Sequence, residues 1–226
     1  SNHLLSLYVG LELLALCLYT MVALRIDSTA ASEAAMKYFV LGALASGILL
    51  YGMSLLYGLT ATLYINELSA SIVRHDGSTL PRTMALILVL VGLLFKMGAV
   101  PFHMWVPDVY EGSPTSSTVY LATAPKLAGF AIILRLLADG LESLATEWQG
   151  MLLVVSIISL ALGNIIAIAQ SNIKRMLAYS AIAHVGFFLL GIFTGEASGY
   201  ASAMAYILIY AAVTLGAFGV ILALSS

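Results

Sequence analysis

"GLLFKMGAVPFHMW", residues 92–105, interrupts an apolar run twice. Lys96 puts an ammonium group inside it, and Pro101 follows about one turn later. A charge at the bilayer centre costs about 2.5–3.5 kcal/mol on insertion scales, and an internal proline removes a helix hydrogen bond. Irregular backbone at membrane depth is tolerated only where it is buried in protein or lines water. The stretch therefore predicts a broken transmembrane helix packed against other helices, not one that floats alone in lipid.

The composition around it agrees. Of 226 residues, 62% are hydrophobic and 9% charged, against about 45–50% and 25% in soluble domains. The expected fold class is all-α, a polytopic transmembrane helix bundle. The net charge of −2 says little, and nine Lys/Arg without a basic stripe exclude nucleic acid as a partner. The lone Cys17 lies in an apolar helix and can form no internal disulfide, and no Cys/His cluster has metal-ligand spacing. The opening Ser1-Asn2-His3 has no basic segment typical of a signal peptide. With a helix opening at Leu4, the chain is expected to be a piece of a longer one, forming one transmembrane domain over residues 1–226.

A spanning helix needs about 20 mostly apolar residues, and seven such runs are legible: Leu4–Leu24, Ala34 to about Leu59, a third from near Thr83 that carries Lys96 to Pro101, about Ser116–Leu137, Met151–Ala169, Lys174–Phe193 and Gly199–Leu224. Residues 60–82 read as a polar connection containing Arg74, His75, Asp76 and Gly77, and 138–149 as an acidic one with Asp139, Glu142 and Glu147. In the short link at 170–173, Ser171 or Asn172 is placed to cap the following helix. Basic residues in alternating loops balance, with Arg25, Lys174 and Arg175 against Arg74, Arg82 and Arg135, so charge bias does not orient the chain. The strings "GALASG" and "GFFLLG" favour close helix packing.

Five ionisable groups fall within or near the apolar spans: Glu12, Lys37, Lys96, Lys126 and His184. Several such costs in one chain require that the groups pair, line a hydrated path, or both. Lysine suits a path, because desolvation weakens its hold on a proton and a neighbouring carboxylate restores it. Each residue also has a static reading. Glu12 and Lys37 could be a fixed buried pair, Lys37 could snorkel from its helix end, and His184 could be a packing histidine. Lys96 and Lys126 lie too deep for easy snorkelling. His103 beside Trp105 suggests a structural role, Asp108 and Glu111 suggest surface or turn positions, and Tyr and Trp near span ends suggest an interfacial belt. No phosphate-cradling glycine loop, HExxH or nucleophile elbow is present.

Three strings, "FKMGAVPFHMWVPDVYEGSPT" (95–115), "ATAPKLAGF" (122–130) and "SNIKRMLAYSAIAHVGF" (171–187), together with "LELL" at Glu12 and "LGAFGV" at 215–220, resemble the antiporter-like membrane subunits of respiratory complex I. The VPFHxWxPDVYxG string (100–112) is similar to the N-type branch of bacterial NADH-quinone oxidoreductase, whose mitochondrial counterpart is NADH dehydrogenase subunit 2. The resemblance implies a fold of about fourteen helices with two inverted five-helix repeats, each holding a broken helix, of which this chain is the central part. It implies that Glu12 and Lys37 form the family's Glu–Lys pair, that Lys96 is the lysine of the first broken helix and Lys126 the central lysine of the following helix, and that His184 is the bridging histidine. It also implies that the loops with Arg25 and Lys174–Arg175 face the cytoplasm. The expected function is proton translocation coupled to NADH oxidation and quinone reduction carried out elsewhere, so no cofactor is expected in this chain. The expected partners are the other membrane subunits of complex I, the lipid bilayer, protons and internal water. In that reading Pro101 frees backbone groups and lets water approach the break, Glu12 tunes Lys37 and Lys96, and protons pass between Lys96, Lys126 and the His184 region. Two alternatives stay open at this point: a subunit of a multisubunit Na⁺/H⁺ antiporter, and a structural membrane scaffold with static buried charges.

Overall fold

The computed structural model describes residues 1–74 and 79–225, the side chain of Ser225 excepted. The polar residues His75, Asp76 and Gly77 lie outside the described residues. Nine α-helices follow in chain order among the described residues: α1 (Leu4–Val22), α2 (Thr29–Thr60), α3 (Ile65–Arg74), α4 (Thr79–Met97), α5 (Trp105–Gly112), α6 (Thr115–Arg135), α7 (Ala145–Ile168), α8 (Ile173–Phe193) and α9 (Ala197–Ser225). Seven are long and apolar enough to cross a membrane, and the seven expected spans are all there. They are not equally enclosed. The spans built on α4, α6 and α8 are half buried by their neighbours, whereas those of α1, α7 and α9 turn most of their surface outward. Lys96, Lys126 and His184 each ride on one of the three inner helices.

Local chemistry sets the boundaries. Helix α2 starts five residues earlier than the apolar pattern indicates, because the Ser28 hydroxyl accepts from the Ala31 amide at 3.3 Å and caps it. Asn172 caps α8 in the same way, accepting from the amides of Lys174 (2.9 Å) and Arg175 (3.3 Å). The connection read as merely polar contains α3, which is too short to span. Its Ile65, Leu68 and Ile72 are buried along one face. The acidic connection is compact as well: a π-type turn over Leu136–Gly140 and a 3₁₀ turn over Glu142–Leu144 lead into α7.

Small residues bring the helices together where the sequence suggested. A Cβ at Gly186 would stand 2.8 Å from the Ser156 carbonyl oxygen of α7, and one at Gly191 would stand 2.7 Å from Ala203 of α9. Gly42 packs under Tyr19, whereas Gly47 faces open space. Both tryptophans depart from the interfacial belt. Trp148 and Trp105 are buried, and their indole N–H groups donate to the carbonyls of Leu141 (3.0 Å) and Phe95 (2.9 Å). A buried indole settles where it finds such an acceptor.

The break between α4 and α5 is made by a different residue from the one expected. Helix α4 ends at Gly98, whose φ of +76° is readily available only to glycine. The Gly98 amide donates to Phe95 O and the Ala99 amide to Leu94 O, both at 3.0 Å, the paired bonds of a Schellman stop. Pro101 comes after the helix has already ended. Nor is the break open at this point. Met97, Gly98, Ala99 and Val100 are buried, the Val100 amide donates to the Ser159 hydroxyl of α7 at 3.0 Å, and Phe95 O accepts from Trp105. Protein groups, not solvent, satisfy the backbone freed here. Exposure begins only at Pro101.

Candidate functional site

The break fixes Lys96 in the last turn of α4, where a cation also faces the negative end of the helix dipole. Its Nζ donates to Glu12 Oε1 on α1 at 3.0 Å and to Ser46 Oγ on α2 at 3.1 Å. Ser46 in turn donates to the same Glu12 oxygen at 2.6 Å. One carboxylate oxygen, one hydroxyl and one ammonium thus close a triangle that joins three helices. Ser46 is buried, and the Lys96 and Glu12 side chains are 13% and 26% exposed. Sequence reasoning missed Ser46, although a lone hydroxyl inside "GALASG" was the available signal.

The expected Glu12–Lys37 pair does not form. Lys37 is 44% exposed and binds Glu33 Oε1 at 2.8 Å and Asp108 Oδ2 at 2.9 Å. The reason is helical phase: Lys37 and Ser46 are nine residues apart on α2, about two and a half turns at 3.6 residues per turn, which puts them on opposite faces. Ser46 turns toward Glu12, and Lys37 therefore turns away from it.

Lys37 belongs instead to an ionic cluster at the other end of the broken helix. Arg175 Nη1 of α8 binds Asp108 Oδ1 at 2.7 Å and Glu111 Oε2 at 2.8 Å, so Asp108 joins α2 and α8 through α5. Asn172 Nδ2 donates to Glu111 Oε1 at 3.0 Å. Lys174 Nζ donates to the carbonyls of Glu111 (3.0 Å) and Ser113 (2.6 Å), closing the carbonyl end of α5. Asp108 and Glu111 are thus more than surface or turn residues. Burial pushes the Asp108 carboxyl up, but hydrogen bonds from Lys37 and Arg175 and their charges outweigh it and hold the carboxyl below the ordinary aspartate value. A depressed carboxyl contributes stability that is complete above its unfolded value and disappears as pH falls through its folded one. The gap in thermal stability between wild type and Asp108→Asn, in the full-length chain, is therefore expected to be full above about pH 4 and to close below it. A gap independent of pH from 7 to 3 would remove Asp108 as the charged centre of the cluster. His103, half-buried in the break, is shifted down by burial.

Lys126 has surroundings of another kind. It is 2% exposed, on the turn after Pro125 in α6. Its Nζ donates to the Ala181 carbonyl of α8 at 3.3 Å and lies 5.5 Å from the centre of the Tyr210 ring of α9. Among the described residues no carboxylate pairs with it. His184 Nδ1 shares a 2.7 Å hydrogen bond with the Tyr206 hydroxyl, and its ring lies 5.1 Å from that of Tyr210. Tyr206 and Tyr210, four residues apart and hence on one face of α9, were visible in "YILIYAAVTLGAFGV" but had not been assigned a role. Beside Lys96, a cavity of about 30 Å³ is lined by Phe95, Tyr19, Tyr38, Pro125 and Gly129 as well, room enough for a water molecule. Among the described residues no three His, Cys, Asp or Glu side chains group as metal ligands, and Cys17 is free and exposed.

The arrangement offers one partly buried and one fully buried ammonium group in unlike settings, Lys96 beside a carboxylate and Lys126 without one among the described residues, together with a half-buried imidazole. Such a set of side chains is chemically able to hold and pass protons. Comparison with known proteins gives the same direction. Residues 1–226 match the NADH:quinone oxidoreductase/Mrp antiporter transmembrane family. NADH-quinone oxidoreductase subunit N of Thioalkalivibrio sulfidiphilus is 61% identical over 100% of this chain and 47% of its own length. A chain of respiratory complex I from Thermus thermophilus, solved with bound aureothin, superimposes with a TM-score of 0.80 at 41% identity, over 98% of this chain and 47% of that one. The Mrp complex from Dietzia sp. gives a TM-score of 0.84 at 23% identity over 96% of this chain and 40% of that one, a likeness of fold. The chain spans about half the length of the relatives it matches.

Proposed function

The chain belongs to the NADH:quinone oxidoreductase/Mrp antiporter membrane family, and from that premise we propose that it relays protons as part of the N-type membrane subunit of an NADH-quinone oxidoreductase, respiratory complex I. It is a multi-pass protein of the bacterial inner membrane. NADH oxidation and quinone reduction take place in other subunits, which supply the redox cofactors and the driving energy. The other membrane subunits of the complex are its partners, and lipid, protons and internal water complete its surroundings.

The observation that carries the reading is the unlike pairing of the two lysines: Lys96 held by Glu12 at 3.0 Å, and Lys126 buried with no carboxylate beside it among the described residues. A displacement of α1 against α4 changes the 3.0 Å Glu12–Lys96 contact and leaves the surroundings of Lys126 as they are, so the two lysines respond unequally to such a movement. In this reading the proton passes from Lys96 toward Lys126 along the inner helices and His184 receives it further on, a path supported at its start by the water-sized cavity beside Lys96.

The test is Lys96→Ala in the full-length subunit within its complex, with proton uptake into inverted vesicles and NADH oxidation both normalised to assembled complex. Removing a positioned proton-transfer group slows the step it carries by on the order of 100-fold, so pumping and coupled turnover are expected to collapse while assembly holds. Normal pumping and turnover in fully assembled Lys96→Ala complex would replace the transport reading with a scaffold of static charges.

A further inference from the structure

Lys126 and His184 lie against the same ring. Tyr210 is buried, at 5% exposure. The Lys126 ammonium and the His184 imidazole both lie against its ring, at 5.5 and 5.1 Å from the ring centre. The Tyr210 hydroxyl donates to the Ala122 carbonyl of α6 at 3.3 Å, about one turn before Lys126, which anchors the ring. The polar bonds of the two groups point elsewhere, Lys126 to the Ala181 carbonyl and His184 Nδ1 to Tyr206. Among the described residues no hydrogen bond joins Lys126 to His184.

We propose that Tyr210 is a positioning residue whose ring shuts off proton exchange between Lys126 and His184, so that α9 must withdraw the ring before a proton can pass. The inference rests on the proton-relay reading and deepens it. In the open state, with His184 Nδ1–H donating to the Tyr206 hydroxyl oxygen, the proton leaves Lys126 Nζ and arrives at the free lone pair of His184 Nε2; the lysine becomes a neutral amine and the histidine an imidazolium. In the closed state the ring face holds the ammonium by its quadrupole and fills the space that water would need. Deleting the ring would leave a cavity walled by an ammonium, an imidazole and the carbonyls of Ala122 and Ala181. A cavity with that many polar partners takes up water, whereas an apolar one stays dry. Water there would connect the two groups at all times.

The experiment places Tyr210 variants in the full-length subunit within its complex, in inverted vesicles. Two quantities are read per assembled complex: protons taken up per NADH oxidised, and the decay of the pH gradient after respiration is stopped. Tyr210→Ala is expected to keep turning over NADH while the proton ratio drops and the gradient decays several-fold faster. Tyr210→Phe, which keeps the ring and loses the hydroxyl with its bond to Ala122, is expected to leak no more than wild type. Tyr210→Leu fills the space partly and gives an intermediate leak, which carries the test where the alanine variant fails to assemble. Adding Lys126→Leu to Tyr210→Ala must return the leak to the wild-type rate. Wild-type leak in assembled Tyr210→Ala or Tyr210→Leu complex overturns the proposal, as does a leak that survives the loss of Lys126 or one equally large in Tyr210→Phe. Failure of the relay reading itself looks different: Lys126→Leu alone would then leave the proton ratio unchanged.

Discussion

Lys126→Met is expected to make the assembled complex more stable and to abolish this subunit's share of proton transport. The ammonium sits at 2% exposure with one carbonyl oxygen at 3.3 Å and one ring face as partners. A buried polar group short of partners costs on the order of 1–3 kcal/mol in mutational data. Methionine keeps most of the side-chain volume and flexibility without the charge, so a gain of about that size is expected in thermal unfolding. Lys126→Ala deletes the charge as well but leaves a void, and large-to-small replacements cost about 2–5 kcal/mol. The two variants should thus differ in the sign of their stability effect and agree in losing proton uptake per NADH. A methionine variant clearly less stable than wild type would show that Ala181 and Tyr210 stabilise the ammonium by more than its burial costs.

The second large effect is expected at Glu12. Its Oε1 accepts from both Ser46 and Lys96, at 2.6 and 3.0 Å, so Glu12→Ala deprives two donors on two other helices. Breaking a buried ion pair from one side costs about 3–5 kcal/mol, most of it the charge left behind. Solvent reaches this pair in part, which lowers the expectation to about 2–4 kcal/mol. Replacing both partners, Glu12→Gln with Lys96→Met, removes the stranded charge and should recover most of that loss. Ser46→Ala should cost less, about 1 kcal/mol. The check is a double-mutant cycle on thermal unfolding of the full-length subunit in its complex. Strict additivity of the Glu12 and Lys96 effects would mean that the 3.0 Å contact contributes nothing. In transport, the double variant remains inactive however well it folds, which separates this prediction from a purely structural account.

Much of the architecture was legible because membrane constraints are severe. Lipid allows few solutions, and a run of about 20 apolar residues leaves little choice. The depth of Lys96 and Lys126, the broken third span and the cap at Asn172 all follow from one-dimensional patterns. The partner of Glu12 did not. Helix α2 is apolar on nearly all sides, so nothing in its sequence marks which face meets α1. The nearest lysine along the chain, Lys37, suggested itself, and the true partner lies 84 positions away on α4. The stop at Gly98 lay hidden behind the more conspicuous Pro101, because a left-handed glycine leaves no apolar signature. The sealing of the break by Ser159 and Trp105 depends on tertiary contact with α7 and on the return of α5, and no local pattern encodes either. The ionic cluster was legible as residues but not as a cluster, since Glu33, Asp108, Glu111 and Arg175 come from three segments.

The tie between Lys174 and Ser113 has an electrical consequence. The 2.6 Å bond fixes the beginnings of α6 and α8 at one level of the bilayer. Lys126 follows Thr115 by as many residues as His184 follows Ile173, about 16 Å along either axis at roughly 1.5 Å per residue. The two groups therefore lie on nearly the same equipotential. A full crossing of the membrane works with or against about 2.3 kcal/mol per charge for each 100 mV, but a proton exchanged between Lys126 and His184 moves sideways through that field and senses almost none of it. If protons pass as proposed, membrane voltage is expected to act on the steps by which they enter and leave the bundle and hardly at all on the lateral step between these two helices.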